Sequence, residues 1–207
     1  MATILLNPQL PSPRAFSDRL NTILTISAAH ITYGWIECGQ TSFAVVGLVC
    51  TTLLILSQWG FGQTRPWLSL WLAIWFTAHL LGMRYGLYAH SSLFDKAMHG
   101  VITAGFAVMW ISWMRPALAG SRLDPGTAPW GLLMLTILFT LATAALWEIF
   151  EFGMDQTGMF RAQKGLDDTM HDMIAALMSG CIAWLWEGHG KRRRNQLRMP
   201  YLVTHLK

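Results

Sequence analysis

The chain has 207 residues, of which 53% are hydrophobic and only 13% are charged, about half the share of charged residues that soluble domains usually carry. So few charges cannot cover a soluble surface, which excludes a soluble enzyme, a disulfide-stapled secreted module and a disordered tail. The net charge of +4 does not indicate a nucleic-acid partner, because the basic residues lie in loops and at the C-terminus. The composition predicts an all-α polytopic transmembrane helical bundle, with the lipid bilayer as its surroundings.

Apolar runs of membrane-spanning length, about 20 residues each, indicate about six spans. The first run is the weakest because it contains Asn21, Thr22, His30 and Thr32. In chain order the predicted spans are residues 20–36, 43–61, 66–83, 94–114, 130–152 and 168–186. We therefore expect a cytoplasmic N-terminal segment over 1–19, a transmembrane domain over 20–187 and a basic cytoplasmic tail over 188–207.

The distribution of lysine and arginine predicts the orientation, because cytoplasmic loops are enriched in these residues. With both termini in the cytoplasm, eleven of the 15 basic residues fall inside. Four fall outside: Arg84, Lys96, Arg161 and Lys164. The run Lys191-Arg-Arg-Arg194 directly after the last span is the strongest anchor, as a topology signal or a contact with anionic lipids.

Ionisable residues in and beside the spans are the most informative feature of the sequence, since such groups are rare in membranes and usually functional. With the predicted orientation, all of them fall near the extracytoplasmic face. They are His79, Asp95, His99, Glu148, Glu151, Asp168 and Asp172. Three pairs among them are spaced i, i+3 or i, i+4 and so share a helix face.

This set predicts a metal site. Five carboxylates close together cannot all stay ionised without counter-charge, and most basic residues are predicted elsewhere, so a divalent ion is an economical solution. Carboxylates and imidazoles suit Fe, Mn or Zn. The ligand count is similar to that of soluble di-iron bundles, although the Glu-x-x-His element of those proteins is absent. Glu148 or Glu151 would also serve as a catalytic base.

Five of these seven residues also have a simpler interpretation. His79 could bond a backbone carbonyl, Asp95 and Asp168 could be helix N-caps, and Glu148 and Glu151 could be solvated among the lipid headgroups. The small-xxx-small steps at Gly100 and Ala104, and at Ala176 and Gly180, predict close contacts between helices.

In several of these segments the chain resembles the YjdF-like family of bacterial inner-membrane proteins. The matching segments are His79-Leu-Leu-Gly82-Met-Arg-Tyr85, Phe94-Asp95-Lys-Ala-Met-His99-Gly100, Ala145-Leu-Trp-Glu148-Ile-Phe-Glu151, Gln163-Lys-Gly165 and Asp168-Thr-Met-His-Asp172-Met173. The late Asp and the Asp-x-x-x-His pattern are similar, more distantly, to the VanZ-like family. The resemblance implies a multi-pass protein of the bacterial inner membrane and implies no particular reaction.

Three functions are compatible with these features. The first is a membrane metalloenzyme, a hydrolase or an oxidase, acting on a lipid or a lipid-borne substrate at the outer leaflet. The second is an ion-coupled transporter, although no internal repeat is visible and the polar groups lie at one face instead of the midplane. The third is an accessory subunit that contacts a membrane-protein partner or a second copy of the chain.

Overall fold

The computed structural model describes residues 12–61, 65–123, 128–158 and 163–203, with side chains up to Glu187. Over these ranges the chain forms seven helices and no strand, so the predicted all-α class is confirmed. The helices are α1 (Pro13–Glu37), α2 (Thr41–Phe61), α3 (Pro66–Arg84), α4 (Leu87–His90), α5 (Ser92–Leu118), α6 (Pro129–Gln156) and α7 (Leu166–Val203).

Four of the described helices, α2, α3, α5 and α6, are long and apolar enough to cross a membrane. They correspond to the second to fifth predicted spans. The first and sixth predicted spans are also helical, as parts of α1 and α7, but their crossing of the membrane stays a prediction. The polar residues of α1 and the acidic first turn of α7, with Asp167 and Asp168, make these two segments less apolar than the other four.

The ends of several helices follow from their sequences. Pro66 and Pro129 open α3 and α6, where proline costs no backbone hydrogen bond. Ser91 caps α5, since its Oγ accepts a hydrogen bond of 3.1 Å from the backbone N–H of Phe94. The interpretation of Asp95 as the cap of this helix is therefore wrong.

The described helices fall into two compact units. The first comprises the described residues up to Gln40 and those from Ala44 to Leu81. Within it, the buried Asn21 of α1 donates a hydrogen bond of 2.7 Å from Nδ2 to Ser69 Oγ of α3. Gln58 of α2 donates to Thr25 Oγ1 of α1 at 2.5 Å. These bonds satisfy polar side chains that would otherwise be costly in an apolar environment.

The second unit comprises Thr41–Phe43 and the described residues from Gly82 onwards, and in it α5, α6 and α7 all pack against one another. Its apolar core includes Met98, Ile111, Leu132 and Ala176. Small residues let α5 and α7 approach closely, as the sequence predicts. The close approach is shown by Ser179 Oγ of α7, which donates a hydrogen bond of 2.8 Å to the carbonyl oxygen of Gly100 on α5.

Candidate metal centre

Six of the seven predicted site residues lie in the second unit, at the same end of its three long helices. Asp95 and His99 lie in the first two turns of α5, and Asp168 and Asp172 in the first two turns of α7. Glu148 and Glu151 lie in the last three turns of α6. The start of α5, the end of α6 and the start of α7 meet, and we call these six residues the His99 cluster.

The imidazole of His99 lies at the centre of the cluster, with carboxylates near both of its nitrogens. On one side Nε2 is 3.7 Å from Asp95 Oδ1 and 3.8 Å from Asp172 Oδ2. On the other side Nδ1 is 3.9 Å from Glu148 Oε1. These three separations are longer than the 2.7–3.2 Å of a nitrogen–oxygen hydrogen bond. The ring is thus surrounded by carboxylates that it does not hydrogen-bond.

Such spacing suits ligand atoms around a metal ion. Ligands about 2.0 to 2.2 Å from one ion lie about 3.3 to 3.6 Å apart in a tetrahedral arrangement, slightly closer than the distances around His99. Among the described residues, two groups offer ligand atoms that all lie within 4.8 Å of one another. The first is Asp95, His99 and Asp172, and the second is His99, Glu148 and Glu151.

Two lysines that were not among the predicted site residues, Lys96 and Lys164, also belong to this site. Lys96 Nζ is 2.5 Å from Asp168 Oδ1 and 3.0 Å from Asp172 Oδ1. Lys164 Nζ is 2.8 Å from Asp95 Oδ2. Part of the counter-charge for the three aspartates therefore comes from lysines of the chain itself.

A signal for these lysines was present in the sequence. Lys96 directly follows Asp95 and precedes His99 by three residues, so it lies one helical turn from the histidine. Together with Lys96 and Lys164, the His99 cluster has five carboxylates and two ammonium groups, which leaves an excess of three negative charges when all are ionised. The lysines reduce the need for a cation without removing it.

The glutamates differ from the aspartates because none of the ion pairs found among the described residues joins a lysine to them. Glu148 is only 6% exposed. Its Oε2 accepts hydrogen bonds from Thr169 Oγ1 at 2.9 Å and from Gln163 Nε2 at 3.3 Å. Its Oε1, on the side of His99, is buried and has no hydrogen-bond partner among the described residues. Glu151 Oε1 accepts a hydrogen bond of 2.7 Å from Trp147 Nε1.

The residues just before α7 make hydrogen bonds to the ends of the helices that carry the His99 cluster. The backbone N–H of Gln163 donates to Asp155 Oδ2 at 3.1 Å, which ties this segment to the end of α6. The backbone N–H of Lys164 donates to Asp168 Oδ2 at 3.4 Å. Gly165 then has a φ of +121°, a conformation that other residues rarely adopt. From this segment the side chains of Gln163 and Lys164 reach Glu148 and Asp95.

The seventh predicted residue, His79, lies on α3 in the first unit and is buried there. Its role as a ligand stays a prediction. Asp168 is not simply a helix cap, since its carboxylate binds both the backbone of Lys164 and the ammonium of Lys96. Gln163 and Thr169 lie in segments that carry the family resemblance but were not predicted as site residues, because their contacts with Glu148 depend on how the segment before α7 folds.

The family described as "Predicted membrane protein (DUF2238)" matches residues 20–193. This match extends over most of the chain, and the chain belongs to that family. The assignment is consistent with the resemblance to YjdF-like proteins, while the more distant likeness to VanZ-like proteins stays a prediction. No curated protein and no solved structure matches the chain.

Proposed function

We propose that this member of the DUF2238 family is an integral-membrane metalloenzyme whose metal ion is held by His99, Glu148 and Glu151. The observation that supports this most directly is Glu148 Oε1, which is buried without a hydrogen-bond partner 3.9 Å from His99 Nδ1. The aspartates of the cluster have lysine partners, whereas this oxygen has none.

The energetic argument concerns the cost of burying that carboxylate. An unsatisfied buried polar group costs about 1–3 kcal/mol, and more when it is charged. A divalent ion bound between Glu148 and His99 removes this cost and lowers the excess negative charge of the cluster from three to one. Two carboxylates and one imidazole are suitable ligands for Zn, Mn or Fe, and each of these ions remains a candidate.

Three protein ligands leave a coordination position for water or substrate, as in catalytic zinc sites. A metal ion there would activate water for hydrolysis or dioxygen for oxidation. The reaction also needs a group that accepts a proton. Glu151 is less buried than Glu148, so we assign this second role to Glu151. Trp147 holds the Glu151 carboxylate through its indole N–H, which fixes its direction.

The proposed substrate is a lipid or a molecule carried on a lipid. The distribution of lysine and arginine favours six spans with both termini in the cytoplasm. This topology would put the His99 cluster at the extracytoplasmic face of a bacterial inner membrane, level with the lipid headgroups. Exposed apolar side chains such as Leu146 and Ile149 on α6 would face lipid beside it.

Elemental analysis of the purified protein tests the proposal. We expect about one Zn, Mn or Fe ion per chain in the wild type, and its loss in His99→Ala and in Glu148→Gln. Asp167→Asn is the matched control, since Asp167 is an exposed carboxylate near the cluster outside both ligand groups, and it should keep the ion. A wild type without metal would contradict the proposal. Ion flux in proteoliposomes would then favour a transporter, and a partner co-purifying at a fixed ratio would favour an accessory subunit.

A further inference from the structure

The ammonium group of Lys96 has surroundings that resemble those of a bound metal ion. Carboxylate oxygens of Asp168, Asp172 and Asp95 lie 2.5, 3.0 and 3.9 Å from Nζ. The backbone carbonyl oxygen of Asp168 lies 3.3 Å away and also accepts a hydrogen bond. The aspartates are largely buried, with side chains 3 to 16% exposed. Asp172 Oδ2 accepts a hydrogen bond at 3.1 Å as well, so five oxygens from α5 and α7 surround one cation.

This lysine lies with the carboxylates near Nε2 of His99, while Glu148 lies near Nδ1. The cluster therefore has two groups of carboxylates that meet at one imidazole. Helical bundles that hold two metal ions also use two groups of carboxylates from several helices, with the ions about 3.5–4 Å apart. Here one of the two groups surrounds an ammonium group of the chain itself.

We infer that Lys96 takes the place of a second metal ion and restricts the site to one ion. The inference rests on the proposed function, because it concerns the stoichiometry of the same site. Asp168 and Asp172 then serve to bind the lysine, and only the glutamates and His99 bind metal.

The charges agree with one group of carboxylates binding the lysine and the other binding a metal ion. With Lys96 in place, five carboxylates face two ammonium groups, and one divalent ion leaves a single excess negative charge. Without the charge of Lys96 there would be four excess negative charges, which two divalent ions would balance. Oxygen ligands from three aspartates suit a hard divalent ion such as Mn²⁺. Replacing the lysine by an uncharged residue should therefore create a second ion site at Asp95, Asp168 and Asp172.

The test is the number of Mn²⁺ ions bound per chain, measured by equilibrium dialysis and elemental analysis in detergent. We expect one ion for the wild type, one for Lys96→Arg, which keeps the charge, and two for Lys96→Met. The two ions of Lys96→Met should also broaden the Mn²⁺ electron paramagnetic resonance spectrum by spin coupling. A folded Lys96→Met protein with one ion or none, or a wild type with two, would overturn the inference.

A second variant keeps the inference testable if Lys96→Met does not fold. Asp168→Asn removes a carboxylate that binds the lysine, so the wild-type stoichiometry of one ion should be unchanged. Loss of the ion in Asp168→Asn would overturn the inference, because Asp168 would then be a metal ligand. A wild type that binds no ion at all would instead contradict the proposed function, so the two failures are distinguishable.

Discussion

Thr169 donates a hydrogen bond of 2.9 Å from Oγ1 to Glu148 Oε2, and the other oxygen of this carboxylate is the one that lies towards His99. The threonine therefore fixes which oxygen is available to a metal ion. Residues that orient metal ligands in this way typically contribute 10–100-fold to metal affinity.

We expect Thr169→Val to weaken metal binding about 10–100-fold, because valine has a similar shape and no hydroxyl group. Thr169→Ser keeps the hydroxyl and should restore binding. The measurement is competition with a chromogenic chelator, in protein whose elution on gel filtration is unchanged. Equal metal affinity in the valine variant and the wild type would show that the hydroxyl does not orient Glu148.

The convergence of the His99 cluster could be predicted from the sequence because it depends on few assumptions. The i, i+4 spacing of Asp95 and His99 puts both on one face of α5, and the orientation derived from basic residues puts the ends of successive spans on one side. The helix α6 extends to Gln156, a turn beyond the predicted end at 152. Glu151 therefore lies within the helix instead of at its end.

The partners of the cluster could not be predicted in the same way. Lys96 was visible, but its pairing with Asp168 joins residues 72 apart in the sequence, which only the packing of α5 against α7 establishes. Gln163 reaches Glu148 from the segment before α7, where Gly165 has a positive φ. Such contacts depend on tertiary structure and leave no periodic pattern in the sequence.

Gly180 is predicted to be essential for the contact between α6 and α7. A Cβ atom at this position would already lie 3.4 Å from Thr140 Oγ1, so a larger side chain would push the helices apart. We expect Gly180→Leu to lower the free energy of unfolding by about 1–3 kcal/mol. Gly153→Leu is the matched control, since no atom lies within 4 Å of a Cβ there. Both substitutions raise the helix propensity equally. The difference between their melting temperatures in detergent therefore reports the effect of packing alone. Equal melting temperatures would contradict the prediction.

Cys38 offers a test of the proposed orientation without adding a reporter residue. It is exposed at the end of α1, whereas Cys50 is fully buried. If both termini are cytoplasmic, Cys38 faces the outside, and a membrane-impermeant maleimide should label it in cells with a permeable outer membrane. The label should disappear in Cys38→Ser.

The same experiment has a control for the opposite side of the membrane. Arg122 is exposed between α5 and α6, on the side predicted to be cytoplasmic. Arg122→Cys in the Cys38→Ser background should be labelled only after the inner membrane is permeabilised. The reverse pattern would mean that the His99 cluster faces the cytoplasm, and the proposed headgroup substrate would then lie in the inner leaflet.

Arg115 of α5 and Glu187 of α7 form a second buried ion pair, with Nη1 and Oε2 3.7 Å apart and side chains 10% and 8% exposed. Breaking a buried ion pair by replacing one of its members typically costs about 3–5 kcal/mol. We expect Arg115→Met and Glu187→Leu each to lower the melting temperature strongly. The melting temperature of the double variant should be close to that of the wild type, because an apolar pair often replaces a buried ion pair without loss of stability.

Metal content separates this pair from the candidate metal centre. Arg115 lies sixteen residues beyond His99 on α5, about 24 Å along the helix axis, so folded protein of every variant should keep its metal ion. If the decrease in melting temperature of the double variant equals the sum of the two single decreases, the pairing is contradicted, since coupled residues give non-additive changes. Recovery of stability with unchanged metal content would show that the contact between α5 and α7 is stabilised independently at two places. The lysine and aspartates stabilise it near the start of both helices, and this ion pair stabilises it further along them.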